Sequence, residues 1–214
     1  SGYGLVAADF VAVTTGLAYR NGDWSGSGRM EWRTSDIDRK LNVLLGAQRR
    51  LADGDTVAAG LQWTGQRAML EGTTNRLLGR LSYAHRPDTG SWMWLDRLEY
   101  VQESTQGGTL AGQLFTRKLI NNFNANWKAN ARTQVAVQYS AKYVREMLQD
   151  FTASGYTDLA GVEARYDITS KVDVGLHAGM LHSWATHTRS YHLGLSVGYR
   201  LATNTWVSVG WNAQ

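Results

Sequence analysis

Single basic side chains recur in one phase of an every-second-residue alternation, and they are the residues best placed to do chemistry. Arg20, Arg29, Arg33, Lys40, Arg80, Arg97, Lys118, Lys142, Arg165 and Arg200 alternate with small or apolar neighbours. The same phase carries Glu31, Glu99 and Glu163, together with His177 and His192. Bases outnumber acids in this set. Two kinds of chemistry follow if these side chains share one enclosed space. Opposite charges can pair across strands and fill the space, or a surplus of positive charge can select anions, as rings of basic side chains do in pores. Both readings stay open here; the second implies a narrow channel for anions or acidic oligosaccharides.

The other reactive residues point to no catalyst. There are five histidines, namely His85, His177, His182, His187 and His192. His177 and His192 are expected on the same face of neighbouring strands, but no matched carboxylates accompany them as a zinc site would need. His182 and Ser183 are adjacent, so on a strand their side chains leave opposite faces and cannot act as base and nucleophile. Cysteine is absent, which removes disulfides, thiol catalysis and thiolate metal sites. No phosphate-cradling glycine loop or zinc-protease motif occurs. We expect no enzyme activity, no cofactor and no metal; an outer-membrane hydrolase using a more distant His–Ser or Asp–His pairing is the least favoured alternative.

The elements that position these residues follow from a period of two. From Tyr191 to Leu201, Tyr191, Leu193, Leu195, Val197, Tyr199 and Leu201 alternate with His192, Gly194, Ser196, Gly198 and Arg200. Successive side chains of a strand point to opposite faces, so this is one strand between two unlike environments. The same alternation marks Val172 to Met180, Ala160 to Ile168 and Val135 to Tyr143. It predicts twelve strands, roughly 8–20, 24–34, 39–51, 56–67, 76–86, 91–103, 116–128, 133–146, 159–168, 172–184, 191–201 and 206–214. Most have the ~9–11 residues that a tilted strand needs to cross a bilayer, or slightly more.

A soluble antiparallel sheet also alternates, with its apolar face inward. Two features favour a membrane. The polar face is rich in Gly, Ala and Ser with isolated long charges, which suits a crowded lumen. The apolar face carries Trp24, Trp63, Trp92, Trp94, Trp127, Tyr143, Tyr166, Tyr191, Tyr199 and Trp211, many near strand ends, where amphipathic rings meet lipid headgroups. An all-β, transmembrane, antiparallel up-and-down β-barrel is the expected fold, built as a single domain over residues 1–214. The bacterial outer membrane is its expected location and outer-membrane lipid its first partner.

Composition agrees. The chain has 214 residues, a formal net charge of +4, nine tryptophans, ten tyrosines and one proline. Its longest apolar runs fall far short of the ~18 residues of a membrane helix. At 43% hydrophobic residues it is too apolar for intrinsic disorder. The positive excess is small and unclustered, so no nucleic-acid partner is expected.

Connections alternate between expected tight turns, such as Asn21-Gly22-Asp23 and Asp53-Gly54-Asp55, and expected longer loops at 68–75, 104–115, 147–158 and 185–190, with Ser35-Asp36-Ile37-Asp38 a short member of the second set. Outer-membrane barrels keep short turns in the periplasm. That rule puts both chain ends at the outer rim and suggests one further strand at each end, fourteen in a longer parent. One residue breaks the pattern. The phase that sends Trp92, Trp94, Leu98 and Tyr100 toward lipid sends Asp96 there too. A bulge at Asp96, or a position near the interface, is the expected remedy.

The runs Arg117-Lys118-Leu119-Ile120-Asn121-Asn122, Asn126-Trp127-Lys128, Lys142-Tyr143-Val144-Arg145, Leu181-His182-Ser183-Trp184 and Leu193-Gly194-Leu195-Ser196-Val197-Gly198-Tyr199 resemble a bacterial group. The sequence is similar to the C-terminal outer-membrane barrel of large, repeat-containing surface proteins of Gram-negative bacteria, and Trp94-Leu95-Asp96-Arg97-Leu98 shares the likeness. That group continues past Trp211-Asn212 to a final strand with a terminal aromatic, whereas this sequence stops at Gln214. The resemblance implies a non-enzymatic membrane anchor that also aids export, with other protein chains or segments of a surface assembly as partners.

Overall fold

The structure is a computed structural model that describes residues 9–52, 54–68, 72–107 and 112–213. Twelve strands follow one another: β1 (Phe10–Asn21), β2 (Trp24–Ser35), β3 (Asp38–Ala52), β4 (Asp55–Ala68), β5 (Gly72–His85), β6 (Trp92–Gln106), β7 (Gln113–Lys128), β8 (Thr133–Leu148), β9 (Phe151–Asp167), β10 (Val172–Ser183), β11 (Thr188–Ala202) and β12 (Thr205–Ala213). Each pairs antiparallel with the next in a single up-and-down sheet. Among the described residues β1 and β12 do not touch. All twelve expected strands are present.

The register separates the two faces. Val137 lies opposite Val162, which lies opposite Ala178, which lies opposite Leu193, so one row of aliphatic side chains crosses four strands. The neighbouring row joins Gln138, Gly161, Gly179 and His192 on the other face. Aliphatics of the first kind are largely exposed: Leu17 is 71% accessible, Leu195 55% and Val209 74%. Only Leu78, Val101 and Ala125 are buried apolar residues among those described. The sheet has no interior of its own against which its apolar face packs.

The turns are tight at one rim. Gly22 takes a φ of 54°, the left-handed conformation that a two-residue hairpin loop requires and that glycine adopts without a Cβ penalty. We call the rim holding 22–23, 54, 86–91, 129–132, 168–171 and 203–204 the near rim, and the opposite one the far rim. The expected long loops at the far rim are corrected by the structure. β8 and β9 leave only residues 149–150 between them, in place of a loop over 147–158. β4 runs to Ala68 and β5 starts at Gly72, β6 runs to Gln106 and β7 starts at Gln113, and β11 starts at Thr188, so the expected loops at 68–75, 104–115 and 185–190 are partly strand; residues 69–71 and 108–111 lie outside those described. The near-rim connection 86–91 is longer than 149–150, so the loop-length asymmetry expected to set the orientation is absent. The physical reason is that the ladder continues past the apolar band. Beyond Tyr143 and Tyr156 the outward residues become Arg145 and Ser154, which still pair but no longer alternate in hydrophobicity.

Candidate functional site

Strand parity sorts the charged side chains. Arg20 of β1, Arg29, Glu31 and Arg33 of β2, Lys40 of β3, Arg80 of β5, Arg97 and Glu99 of β6, Lys118 of β7, Lys142 of β8, Glu163 and Arg165 of β9, His177 of β10, and His192 and Arg200 of β11 all lie on the face opposite the exposed aliphatics. Arg76, which the expected boundary of 76 left at a strand end, sits inside β5 opposite Glu103 and joins this face. The elongated β5 supplies the signal: its ladder starts at Gly72, where hydrophobic alternation has already faded.

Four groups of ion pairs form there. Arg80 Nε and Arg97 Nε each lie 3.1 Å from Glu99 Oε1, so one carboxylate serves two guanidinium groups across β5 and β6. Arg29 lies 3.0 Å from Glu31 on the same strand. Arg33 lies 2.7 Å from Asp38 Oδ2, and Ser35 Oγ donates to Asp38 Oδ1 at 2.8 Å, locking the β2–β3 turn. Arg165 Nε lies 2.9 Å from Asp173 Oδ2, and Asp173 is only 2% accessible. Enclosing a carboxylate is costly unless a base pairs with it, and Arg165 supplies that partner. Arg20, Lys40, Lys118, Lys142 and Arg200 enter no ion pair among the described residues.

Between the charges runs a polar ladder. Thr64 donates to Asn42 Oδ1 at 2.9 Å, and Ser140 donates to Asn122 Oδ1 at 3.0 Å. Such cross-strand bonds stiffen a polar wall without adding charge. His177 and His192 come together, their ring centroids 6.0 Å apart, in a recess of about 310 Å³ also lined by Glu163, Gln138 and Asn124. Each ring covers a glycine of the neighbouring strand: a side chain at Gly179 would collide with His192, and one at Gly194 with His177. No group of three or more His, Cys, Asp or Glu residues able to hold a metal occurs among the described residues.

The exposed face holds most of the aromatic residues; Trp206, against Arg200, and Phe10, beneath Arg33, lie on the polar face. At the near rim Trp92 and Trp127 stack with centroids 5.5 Å apart, Tyr83 packs against Trp94 at 4.7 Å, and Arg49 covers Trp24 at 5.2 Å. Tyr166 and Tyr199 lie toward the same rim, while Trp63, Tyr143 and Tyr191 lie toward the far one. Trp211 pairs with Leu195, midway along β11. A second far-rim group was not anticipated: His182 and Asp158 also point outward, and Trp184 Nε1 donates to Asp158 Oδ1 at 2.8 Å while its ring covers His182 at 4.3 Å.

Asp96 points outward as expected, but no bulge accompanies it. The ladder runs without a shift from Trp92 to Gln106 on the β7 side and from Trp94 on the β5 side. Instead, Asn121 Nδ2 donates to Asp96 Oδ1 at 2.7 Å from the adjacent strand. Of the two expected remedies the bulge is absent; Asp96 lies in the near-rim part of β6, opposite Tyr83, with a polar partner on the same face.

The chain's overall shape agrees with solved barrels. No protein-family model and no curated protein sequence matches it. The siderophore receptor PirA of Pseudomonas aeruginosa matches with a TM-score of 0.72 at 10% identity, over 94% of this chain and 40% of the receptor. The ferric enterobactin receptor PfeA of the same organism gives 0.71 at 10% identity, over 94% and 41%. OmpT, an outer membrane protein of Vibrio cholerae, gives 0.55 at 11% identity, over 93% and 62%. This is the fold of an outer-membrane β-barrel. The chain spans about two fifths of the length of the siderophore receptors it matches. At these identities the likeness concerns architecture: an antiparallel up-and-down wall with an apolar outside and a polar inside, of the kind found in the bacterial outer membrane.

Proposed function

We propose that the chain is a non-enzymatic wall of an outer-membrane barrel, and that it anchors a larger surface or periplasmic assembly in the membrane. The observation that carries this reading is the pairing of an exposed, continuous aliphatic face with a polar face locked by ion pairs. Hydrocarbon satisfies the first, because apolar side chains left in water forfeit about 25 cal/mol per Å². The second needs no substrate to be stable, since Glu99 and Asp173 already hold their bases. The edges of β1 and β12 need partners as well, because an unpaired backbone group in lipid costs several kcal/mol. The likeness to the barrels of repeat-containing surface proteins supports the anchoring role.

The test is release. In cells producing the natural protein, deleting the segment that contains β1–β12 frees the remainder from the outer-membrane fraction. Retention of the remainder in that fraction refutes the anchor. A second reading, a channel for anions or acidic oligosaccharides, is favoured by one observation: Lys118 and Lys142 sit near one another on the polar face without a bridging acid. Planar-bilayer recording separates the two. An anchor stays silent, whereas a channel conducts with anion preference and loses that preference in Lys118→Gln/Lys142→Gln.

A further inference from the structure

Six arginines stand apart from the polar face, and four of them form two opposed pairs. Arg39 of β3 lies directly opposite Arg67 of β4, and Arg117 of β7 lies directly opposite Arg145 of β8. Each points to the lipid side, since Arg39 shares the face of Leu41 and Val43 and Arg145 that of Tyr139 and Tyr143. All four are exposed. Each is the next outward residue beyond the apolar band on the far-rim side, apart from Arg67, which follows Trp63 and Gly65.

Like charges directly opposite in an antiparallel pair have Cβ atoms about 4.5–5.5 Å apart and destabilise the sheet. A sheet normally offsets such a pair with a carboxylate. Among the described residues none of these arginines enters an ion pair. The outward neighbours across from Arg117 and Arg145 are Gln102 and Ser154, both uncharged, and Phe115 lies 4.6 Å under the Arg117 guanidinium. Arg39 and Arg67 line a cleft with Asp9, Asp36 and Asp38, of which Asp38 is already taken by Arg33. Below that first pair lies an apolar groove of about 630 Å³ on the same face, lined by Gly28, Leu45, Ala47, Ala59, Leu61 and Gly79. At ~3.3 Å per residue, Leu45 is about 20 Å along the strand from Arg39, a distance suited to an acyl chain.

We propose that the two outward arginine pairs bind the phosphate groups of membrane-lipid headgroups, each pair clasping phosphate oxygens between two guanidinium forks. Guanidinium geometry matches phosphate oxygens two at a time, and the position just beyond the apolar band is the headgroup level. The anion removes the repulsion that the register builds in. This inference rests on the membrane reading of the fold.

The probe is phosphatidate, with phosphatidylcholine as the neutral reference and inorganic phosphate as the lipid-free anion. The chain is inserted into vesicles holding both lipids, and lipid retained on release into detergent is counted by native mass spectrometry. Phosphatidate is retained in preference to phosphatidylcholine. Retention falls by about tenfold or more when Arg39→Gln, Arg67→Gln, Arg117→Gln and Arg145→Gln are combined. Arg49→Gln, at the near rim, behaves like the parent. Equal retention of both lipids, an equal loss in Arg49→Gln, or capture of inorganic phosphate in place of lipid overturns the proposal. If the fourfold variant does not insert, Arg145→Gln alone decides. It raises the unfolding midpoint in pure phosphatidylcholine, and the gain disappears in phosphatidate; a gain that persists in both lipids refutes the inference. Failure of the parent chain to enter either vesicle overturns the membrane reading itself, whereas insertion without lipid preference overturns only the headgroup site.

Discussion

Val162→Arg puts the central physical claim to a quantitative test. Val162 lies on β9 between the outward aromatics Tyr156 and Tyr166, opposite Val137 and Ala178, and is 45% accessible. Were water to cover this face, a long cationic side chain at a half-exposed strand position would project into solvent and shift stability by no more than about 0.5 kcal/mol. In hydrocarbon the same change costs roughly 2–4 kcal/mol at mid-depth. The two environments therefore differ by several-fold in outcome at one site. Equilibrium urea unfolding in phosphatidylcholine vesicles, followed by tryptophan fluorescence, resolves that gap. Ala136→Arg supplies the control, since Ala136 is one residue from Val137 along β8 and faces the polar side. The expected order is a large loss for Val162→Arg and a small one for Ala136→Arg. Equal small losses at both positions would refute the lipid assignment, and the reverse order would show that the faces have been exchanged.

Three further outcomes follow from named contacts. Arg165→Ala leaves the enclosed Asp173 without its 2.9 Å partner, and it should lower the unfolding free energy by about 1–3 kcal/mol; an unchanged urea midpoint would show the pair to be idle. Trp184→Phe keeps an aromatic ring beside His182 but deletes the donor to Asp158, so a loss of roughly 0.5–1.5 kcal/mol is expected, and Asp158→Asn, which still accepts that hydrogen bond, should lose less. Gly194→Leu drives a side chain into the His177 ring and should destabilise by about 1–3 kcal/mol, an effect that His177→Ala relieves in the double variant; strictly additive losses would refute the contact.

The faces were legible because a strand's period of two reports environment directly. Tyr191 to Leu201 shows both sides of β11 in eleven residues, and the register confirms each assignment of that strand to its side. Strand ends were less legible for the same reason. Where β8 and β9 pass beyond the apolar band, Arg145, Ser154 and Thr152 keep their backbone bonds while losing their hydrophobic contrast, so an alternation argument stops too early. Asp96 shows a different limit. A single strand shows only that a carboxylate faces outward; its partner, Asn121, belongs to the next strand and is found only once the register is known. The opposed arginine pairs have the same origin, since Arg39 and Arg67 are unremarkable until the β3–β4 ladder sets them face to face.

The burial pattern then decides what can hold such a sheet together. Ordering the backbone costs about 1–2 kcal/mol per residue, and a water-soluble domain offsets this mainly by burying apolar side chains against each other. Here the described residues offer three buried apolar side chains, and no large side chain is fully buried. A sheet this poor in core cannot repay its conformational entropy in water from its own contacts. Its interstrand bonds do not fill the gap either, because each is worth only about 0.5–1.5 kcal/mol net when water competes for the same groups. In hydrocarbon the balance changes on both counts. The aliphatic face finds its burial in the acyl chains, and every backbone bond gains because the alternative is an unpaired group costing several kcal/mol. The solvent thus replaces the missing core, and the polar face needs only enough ion pairs to keep its own charges satisfied. Glu99 between Arg80 and Arg97, and Asp173 Oδ2 against Arg165, supply such pairs at both halves of the sheet, while Arg20, Lys40, Lys118, Lys142 and Arg200 stay outside them.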